Sequence, residues 1–300
     1  MTDTVAARHP ARSAFAVLGA YFRLTKPRVI ELLLVTTVPA MVLAAGGVPD
    51  VWLVGSVLAG GALAAGGANT VNCWIERERD LAMTRTAGRP LPAGLIEPNR
   101  ALVFGLLLEA GAFVVLWAAA NLLSAMLAVG AMLFYVFVYT IWLKPRSVQN
   151  IVIGGAAGAV PALVGWAAVT GTVEAPALVL FAIVFLWTPP HFWALAIRFR
   201  DDYARAGFPM LPVTHGVDVA TTQITAYAVA VLVTSLLLPL VAATGLLYLA
   251  SAALLGAAFV LAALRLRRDP TPVQGLRFFR LSNTYLAALF TAVAVDTLVA

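Results

Sequence analysis

Nine stretches of Leu, Ala, Val and Gly, almost free of charge, run along this chain at approximately 29–46, 51–73, 100–119, 121–143, 150–169, 176–197, 221–243, 245–264 and 279–298. Each is close to the roughly 20 residues a helix needs to cross a ~30 Å hydrocarbon layer. A spanning barrel would instead show short strands of alternating polarity. Composition agrees: 62% of residues are hydrophobic and 11% charged, against about 45–50% and about 25% in soluble domains. The predicted fold is therefore all-α, a polytopic membrane bundle of nine transmembrane helices forming one domain over residues 29–300, behind a polar tail of residues 1–28.

Charge placement gives the orientation. Arg8, Arg12, Arg23, Lys26 and Arg28 precede the first span, and Arg77, Arg79, Arg85, Arg89 and Arg100 lie between the second and third. Lys144 and Arg146, then Arg198, Arg200 and Arg205, then Arg265, Arg267, Arg268, Arg277 and Arg280 occupy the next connections on that side, which accounts for all 20 basic residues. Positive charge is retained on the cytoplasmic side, so the expectation is a bacterial cytoplasmic (inner) membrane protein with its N-terminus inside and its C-terminus outside. The net charge of +6 is on this reading a topology signal, and no nucleic-acid partner is expected. The tail lacks an early apolar core and reads as cytoplasmic rather than as a cleaved signal. Cys73 is the one cysteine, which excludes an intrachain disulfide; a small buried residue is the plain reading of it.

Chemistry gathers at the end of the second span, in "NCWIERERDLAMTRTAGRPLPAG", residues 72–94. Asn72, Glu76 and Asp80 stand at i, i+4 and i+8, so a helix continued past the membrane edge lines them on one face, about 12 Å from end to end. Acids at a helix C-terminus oppose its dipole, and a divalent cation reverses that sign. Mg²⁺ takes hard oxygen ligands, typically one or two carboxylates with water and phosphate. The alternative is a solvated helix end with ordinary surface ion pairs, and spacing alone leaves both open. Arg85 and Arg89 follow in a Gly- and Pro-rich loop, and arginine forks bind phosphate oxygens. Metal ligands beside phosphate ligands point to a diphosphate. A second acidic loop, "RFRDDYARAGFPMLPVTHG" at 198–216, carries Asp201 and Asp202, and its "GFPMLP" echoes the "GRPLP" of the first; two such mouths facing one cavity is one reading, a generic interfacial loop with snorkelling arginines the other. A transporter is the competing class, but functional acids in transporters lie near the midplane.

The string at 72–91 resembles the Asn- and Asp-rich first motif of the UbiA superfamily of intramembrane prenyltransferases. "YFRLTKPRV" (21–29), "YTIWLKPRSVQNIVIGGAAGAVPALVGW" (139–166), "FLWTPPHFWALAIRFRDDYARAGFPMLP" (185–212) and "SNTYLAALF" (282–290) are similar to its haem-farnesylating branch. The resemblance spans roughly 21–290 and implies a UbiA-like fold around a lipid-accessible cavity, Mg²⁺-dependent use of farnesyl diphosphate, and haem B as acceptor, giving haem O. The recipients it implies are a haem A synthase or a terminal oxidase assembly. It places metal ligands at Asn72, Glu76, Asp80, Asp201 and Asp202, diphosphate contacts at Arg85 and Arg89, and catalysis on Asn72 and Asp80. An allylic diphosphate ionises when its leaving group is neutralised, and Lys144, at the cytoplasmic end of the fourth span, is a further catalytic candidate as an added clamp on the diphosphate. There are two departures: Glu76 stands where the family commonly has Asp, and the acids of the second motif are adjacent rather than four apart. A prenyl cation wants electron-rich faces, for which Tyr135, Tyr139, Trp187, Phe192 and Trp193 are candidates beside their packing roles. Among three histidines (His9, His191 and His215), His191 in "WTPPHFW" is the candidate haem contact, since imidazole is a common axial ligand; the alternative is a neutral ring bonded to carbonyls freed by Pro189 and Pro190. Glu31 and Glu109 also fall within spans. A relative that prenylates an aromatic or quinone precursor would share the first motif without haem.

Overall fold

The computed structural model describes residues 14–299, apart from the side chains at 29 and 32–34; His9, Arg8, Arg12 and the rest of 1–13 lie outside the described residues. The chain is all-α. A short helix α1 (Ala14–Leu24) precedes α2 (Pro27–Ala45), α3 (Val51–Leu81), α4 (Pro98–Ala119), α5 (Leu122–Leu133, continued by a π-helical turn Phe134–Leu143), α6 (Asn150–Thr170) and α7 (Ala175–Arg198). Two short helices, α8 (Arg200–Arg205) and α9 (Leu211–Thr214), lead to α10 (Gly216–Ser235), α11 (Leu246–Arg268) and α12 (Pro272–Val299).

Among the described residues, eight helices are long and apolar enough to cross a membrane, and α2 adds an apolar stretch over Val35–Ala45. The nine predicted stretches fall on α2–α7 and α10–α12. Four boundaries differ most in the same sense: α3 continues from 73 to 81, α10 begins at 216 rather than 221, α11 runs to 268 rather than 264, and α12 begins at 272 rather than 279. Hydropathy stops where polar residues begin, whereas a helix continues while its backbone stays paired. The 11 residues of α1, expected as part of a polar tail, form a helix whose Ala20 and Leu24 are buried while Phe15, Leu18 and Phe22 face outward.

Local chemistry explains the ends. Asp50 caps α3, accepting from Leu53 N at 2.8 Å, and Asn121 caps α5 through Ser124 N at 2.9 Å, the oxygen-to-amide bond such caps supply. Proline opens α2, α4 and α12, where its missing N–H costs nothing. Pro189 and Pro190 sit inside α7, and the neighbouring Thr188 hydroxyl donates to Val184 O at 2.9 Å. At 31 residues, α3 is about 46 Å long, well over a ~30 Å hydrocarbon layer, so its C-terminal turns project beyond the apolar zone. It packs on α4 where a Cβ on Gly67 would come within 2.8 Å of Gly105 O, the close backbone approach small residues permit in membranes. Glu109 of α4 is buried against this seam, with neither carboxylate oxygen in a hydrogen bond; Glu31 is exposed near the start of α2. The largest buried apolar cluster joins α6, α7, α10, α11 and α12 and includes Met83, Phe208 and Met210 from the two acidic loops, which ties those loops to the bundle end.

Candidate active site

The last turns of α3 carry Asn72, Glu76 and Asp80 on one face, as their spacing requires, and all three are buried, at 1%, 4% and 0% exposure. Two carboxylates at a helix C-terminus cannot be buried bare. Each of the three side chains is in fact met by one cation from a different segment. Lys26, the residue before α2, donates to Asn72 Oδ1 at 2.7 Å. Lys144, just past the π-helical turn, forms an ion pair with Glu76. Arg89, in the loop after α3, sends one nitrogen to both oxygens of Asp80, at 3.0 and 2.8 Å. Three acceptors and three cations thus form one compact buried polar cluster, while on the outer face of the same helix end Arg77 and Glu78 form a surface ion pair.

Backbone geometry holds the cations in place. Lys26 has φ 54°, the one non-glycine residue with positive φ among those described; the preceding Thr25 carbonyl accepts from Asn69 Nδ2 at 3.0 Å, which pins this strained turn to α3. Burial, with Arg89 and Lys144 close by, lowers the Lys26 pKa from the ordinary lysine value. In the loop, burial alone would lower the Arg89 pKa, and the Asp80 carboxylate reverses this, leaving it raised. Thr86 Oγ1 donates to Asp80 O at 2.8 Å and so folds the loop back toward α3. The Lys144 ammonium also lies 4.8 Å from the Phe208 ring centre and 5.6 Å from that of Tyr139.

The two acidic loops touch. Arg85 Nη2 donates to the Tyr203 hydroxyl at 2.8 Å and lies over the Phe199 and Tyr203 rings, while Arg205 donates to Thr84 Oγ1 at 3.1 Å. Asp202 is buried and ion-paired with Arg205. Its neighbour Asp201 is exposed and lines a separate cleft of about 320 Å³ with Arg198, Arg200, Val217, Pro270 and Pro272. The adjacent acids therefore point into different places. A cleft of about 400 Å³ opens beside the α3 cluster, lined by Glu76, Thr140, Arg79 and Arg146 among others.

The aromatic candidates divide as well. Tyr135 and Tyr139 stack at 5.3 Å on the π-helical turn that carries Lys144. Trp187 and Trp193 belong to the α7 core: Trp187 Nε1 donates to Ser282 O at 2.9 Å, and Trp193 meets Tyr227 edge-on. Phe192 is partly exposed. His191 is buried between the rings of Trp187 and Phe279, at 4.2 and 4.4 Å, with Nδ1 2.7 Å from Ser282 Oγ; its partners lie on α7 and α12 rather than on α3. His215 is a loop residue bonded to Thr214, and Cys73 is buried. Two members of the α3 cluster escaped the sequence reading. Lys26, within "LTKPR", reads in the sequence only as topology charge; Thr140, whose hydroxyl contacts Asn72, carries no signal in its residue type.

The donor set suits Mg²⁺: an amide oxygen and two carboxylates, all hard oxygens. Among the described residues no three of His, Cys, Asp and Glu converge as a ready cage. An all-helical membrane bundle with buried acids paired to cations at one mouth has the construction of an intramembrane enzyme with a charged site at the membrane edge. The sequence model of the UbiA prenyltransferase family matches residues 33–287, and the chain belongs to that family. Two proteins of Saccharopolyspora erythraea named protoheme IX farnesyltransferase are each 54% identical to it; the first match covers 98% of this chain and 95% of that protein. A protein of the same name from Frankia alni is 51% identical over 95% of this chain and 99% of its own. Among solved structures, a digeranylgeranylglyceryl phosphate synthase superposes with a TM-score of 0.76 at 19% identity, covering 95% of this chain and 99% of its own. A UbiA homologue from Archaeoglobus fulgidus bound to DMAPP and Mg²⁺ gives 0.67 at 18% identity, over 92% and 99%. At such identities the structures speak for the fold; the chain is a prenyltransferase on the strength of its family and its full-length relatives.

Proposed function

We propose that this enzyme joins the farnesyl group of farnesyl diphosphate to a vinyl group of haem B, in a Mg²⁺-dependent reaction that yields haem O. The observation that carries the donor half is the threefold pairing of Asn72, Glu76 and Asp80 with Lys26, Lys144 and Arg89. Support for the haem acceptor comes from relatives of that name that match nearly the whole chain.

In this reading Asn72, Glu76 and Asp80 hold the metal, with Asp202 the acid of the second loop nearest the shared mouth and Asp201 turned toward its own cleft. When bound, Mg²⁺ supplies Lewis-acid neutralisation of the leaving diphosphate. Lys26, Lys144 and Arg89, paired with those side chains, would be the groups placed to take phosphate oxygens once a metal occupied their partners, joined by Arg85 from the loop; positive charge set where negative charge develops lowers the barrier. The allylic C–O bond breaks and its electron pair leaves with diphosphate. The stacked Tyr135 and Tyr139 faces shelter the allylic cation, the vinyl π pair forms the new C–C bond, and water adds to the resulting carbocation with loss of a proton, leaving a hydroxyethylfarnesyl arm.

His191 is assigned to haem. The Ser282 hydroxyl donates to Phe279 O at 2.7 Å, so it accepts from His191 Nδ1–H, and Nε2 keeps the lone pair an iron ligand needs; the partner of one ring nitrogen sets the tautomer at the other. The basic mouth faces the cytoplasm of a bacterial inner membrane, with the C-terminus outside, and haem O passes to a haem A synthase or a terminal oxidase assembly. Purified protein in detergent, given farnesyl diphosphate, haem B and Mg²⁺, yields a haem heavier by farnesyl plus water in mass spectrometry. Prenylation of a phenolic acceptor alone would transfer the chain to the quinone-type branch, and labelled solute crossing proteoliposomes without any reaction would make it a transporter.

A further inference from the structure

The end of the fourth membrane helix, α5, is wound differently from the rest. Over Phe134–Leu143 the ladder is π-helical, and Lys144 N donates to Tyr139 O, five residues back, at 2.8 Å. In an α-helix at 3.6 residues per turn, Tyr135 and Lys144, nine apart, would be rotated by about 900° and so face opposite ways. The wider turn stacks residues four and five apart, and Tyr135, Tyr139, Thr140 and Lys144 reach the same side of the helix. Single-turn π-bulges inside α-helices are frequent at functional sites, and the π-helical segment here runs to 10 residues.

Thr140, 3% exposed, sits in the middle of this arrangement and bonds twice. Its hydroxyl donates to Tyr135 O at 2.8 Å, five residues back like the ladder itself. Having spent its one hydrogen, it accepts from Asn72 Nδ2 at 3.1 Å. The other end of that amide faces Lys26 Nζ at 2.7 Å, and an ammonium group has only donors. The two contacts independently demand the same orientation, with nitrogen toward Thr140 and oxygen toward the charged cluster.

We infer that Thr140 is a positioning residue: presented by the π-helical turn, its hydroxyl fixes which end of the Asn72 carboxamide faces the metal and diphosphate. This rests on the metal–diphosphate reading above. Without the hydroxyl acceptor, the buried N–H loses its partner and Lys26 alone holds the amide; when that ammonium turns to phosphate nothing fixes the orientation, and a nitrogen turned toward the cluster cannot ligate a cation.

The test is binding of unreactive farnesyl thiodiphosphate in detergent, followed by tryptophan fluorescence at a series of fixed Mg²⁺ concentrations. Thr140→Val keeps the shape and removes the hydroxyl; the Mg²⁺ needed for half-saturation rises about five- to tenfold, the worth of one buried hydrogen bond. Thr140→Ser restores it to within about twofold, a rescue that a purely steric role would not show. In an Asn72→Ala background the valine change has no further effect, because Thr140 acts through that amide. Thr140→Ala makes the same comparison if the valine protein does not insert. Wild-type binding that ignores Mg²⁺ overturns both this inference and the reading beneath it. Mg²⁺-dependent wild-type binding matched by Thr140→Val, or an undiminished valine effect without Asn72, overturns the inference alone.

Discussion

Replacing Lys144 by methionine separates two roles that the structure superposes on one ammonium group. Glu76 and Lys144 have side chains only 5% and 13% exposed, and removing one partner of a buried pair leaves an uncompensated charge, which costs about 3–5 kcal/mol. The lower end applies, because Lys26 and Arg89 stand in the same cluster. A loss of about 3 kcal/mol lowers the apparent melting temperature of a chain this size by roughly 6–12 °C. Adding Glu76→Gln to Lys144→Met removes the stranded carboxylate as well and recovers most of that loss, since replacing both partners of a buried pair is often close to neutral. Activity behaves otherwise. If the ammonium goes to a phosphate oxygen once the metal takes Glu76, turnover stays down about 10²-fold or more in both variants. Scanning fluorimetry in detergent and a farnesyl-transfer assay on the same preparations read the two effects. A double variant with wild-type turnover would reduce Lys144 to a counter-ion, and a single variant as stable as wild type would show that the pair is not held in solution.

Three further substitutions test neighbouring parts of the site. Asp80→Asn removes the partner of Arg89 and one proposed metal ligand, so turnover falls about 10²–10³-fold while membrane insertion, checked by fractionation, is retained; wild-type rates would remove Asp80 from the metal. Gly154→Ala places a methyl group into the Tyr139 ring, which displaces the Tyr135–Tyr139 stack and with it Lys144; overpacking of this kind costs about 1–3 kcal/mol, visible as a lower melting temperature together with a raised KM for farnesyl diphosphate, and an unchanged KM would take the tyrosine pair out of the donor site. His191→Ala removes the proposed iron ligand and abolishes the Soret shift on adding haem B, whereas an unaltered shift would leave His191 as the filling of the Trp187–Phe279 sandwich.

How much of this could be read from the chain depends on what kind of physics places each residue. The spans were readable because hydrophobicity accumulates over twenty residues and tolerates local error. Asn72, Glu76 and Asp80 were readable because an α-helix converts a spacing of four into a shared face, and because acids at the end of an apolar helix demand an explanation. The cations were harder. Arg89 announced itself beside a diphosphate-like loop, but Lys26 looked like one of the many basic residues that set topology, and only the positive-φ turn at Lys26 and the Asn69–Thr25 bond aim it at α3. Asp201 and Asp202 differ by one position and by a full change of environment, one open to a surface cleft and one paired with Arg205; adjacency in sequence says nothing about which way a one-turn helix points its acids. Thr140 lay beyond reach altogether. Its role depends on the five-residue ladder of Phe134–Leu143, and Ile, Tyr, Val and Phe in a membrane span give no local reason to expect a π-helix over an α-helix. The stacking of Tyr139 against Gly154 of α6 offers a tertiary reason: the ring needs a site where no Cβ stands, and that site lies on the face the wider winding reaches. The geometry around the Asn72 amide, the proposed metal ligand, thus rests in part on a glycine of another helix, a dependence that reading along one chain segment at a time does not reveal.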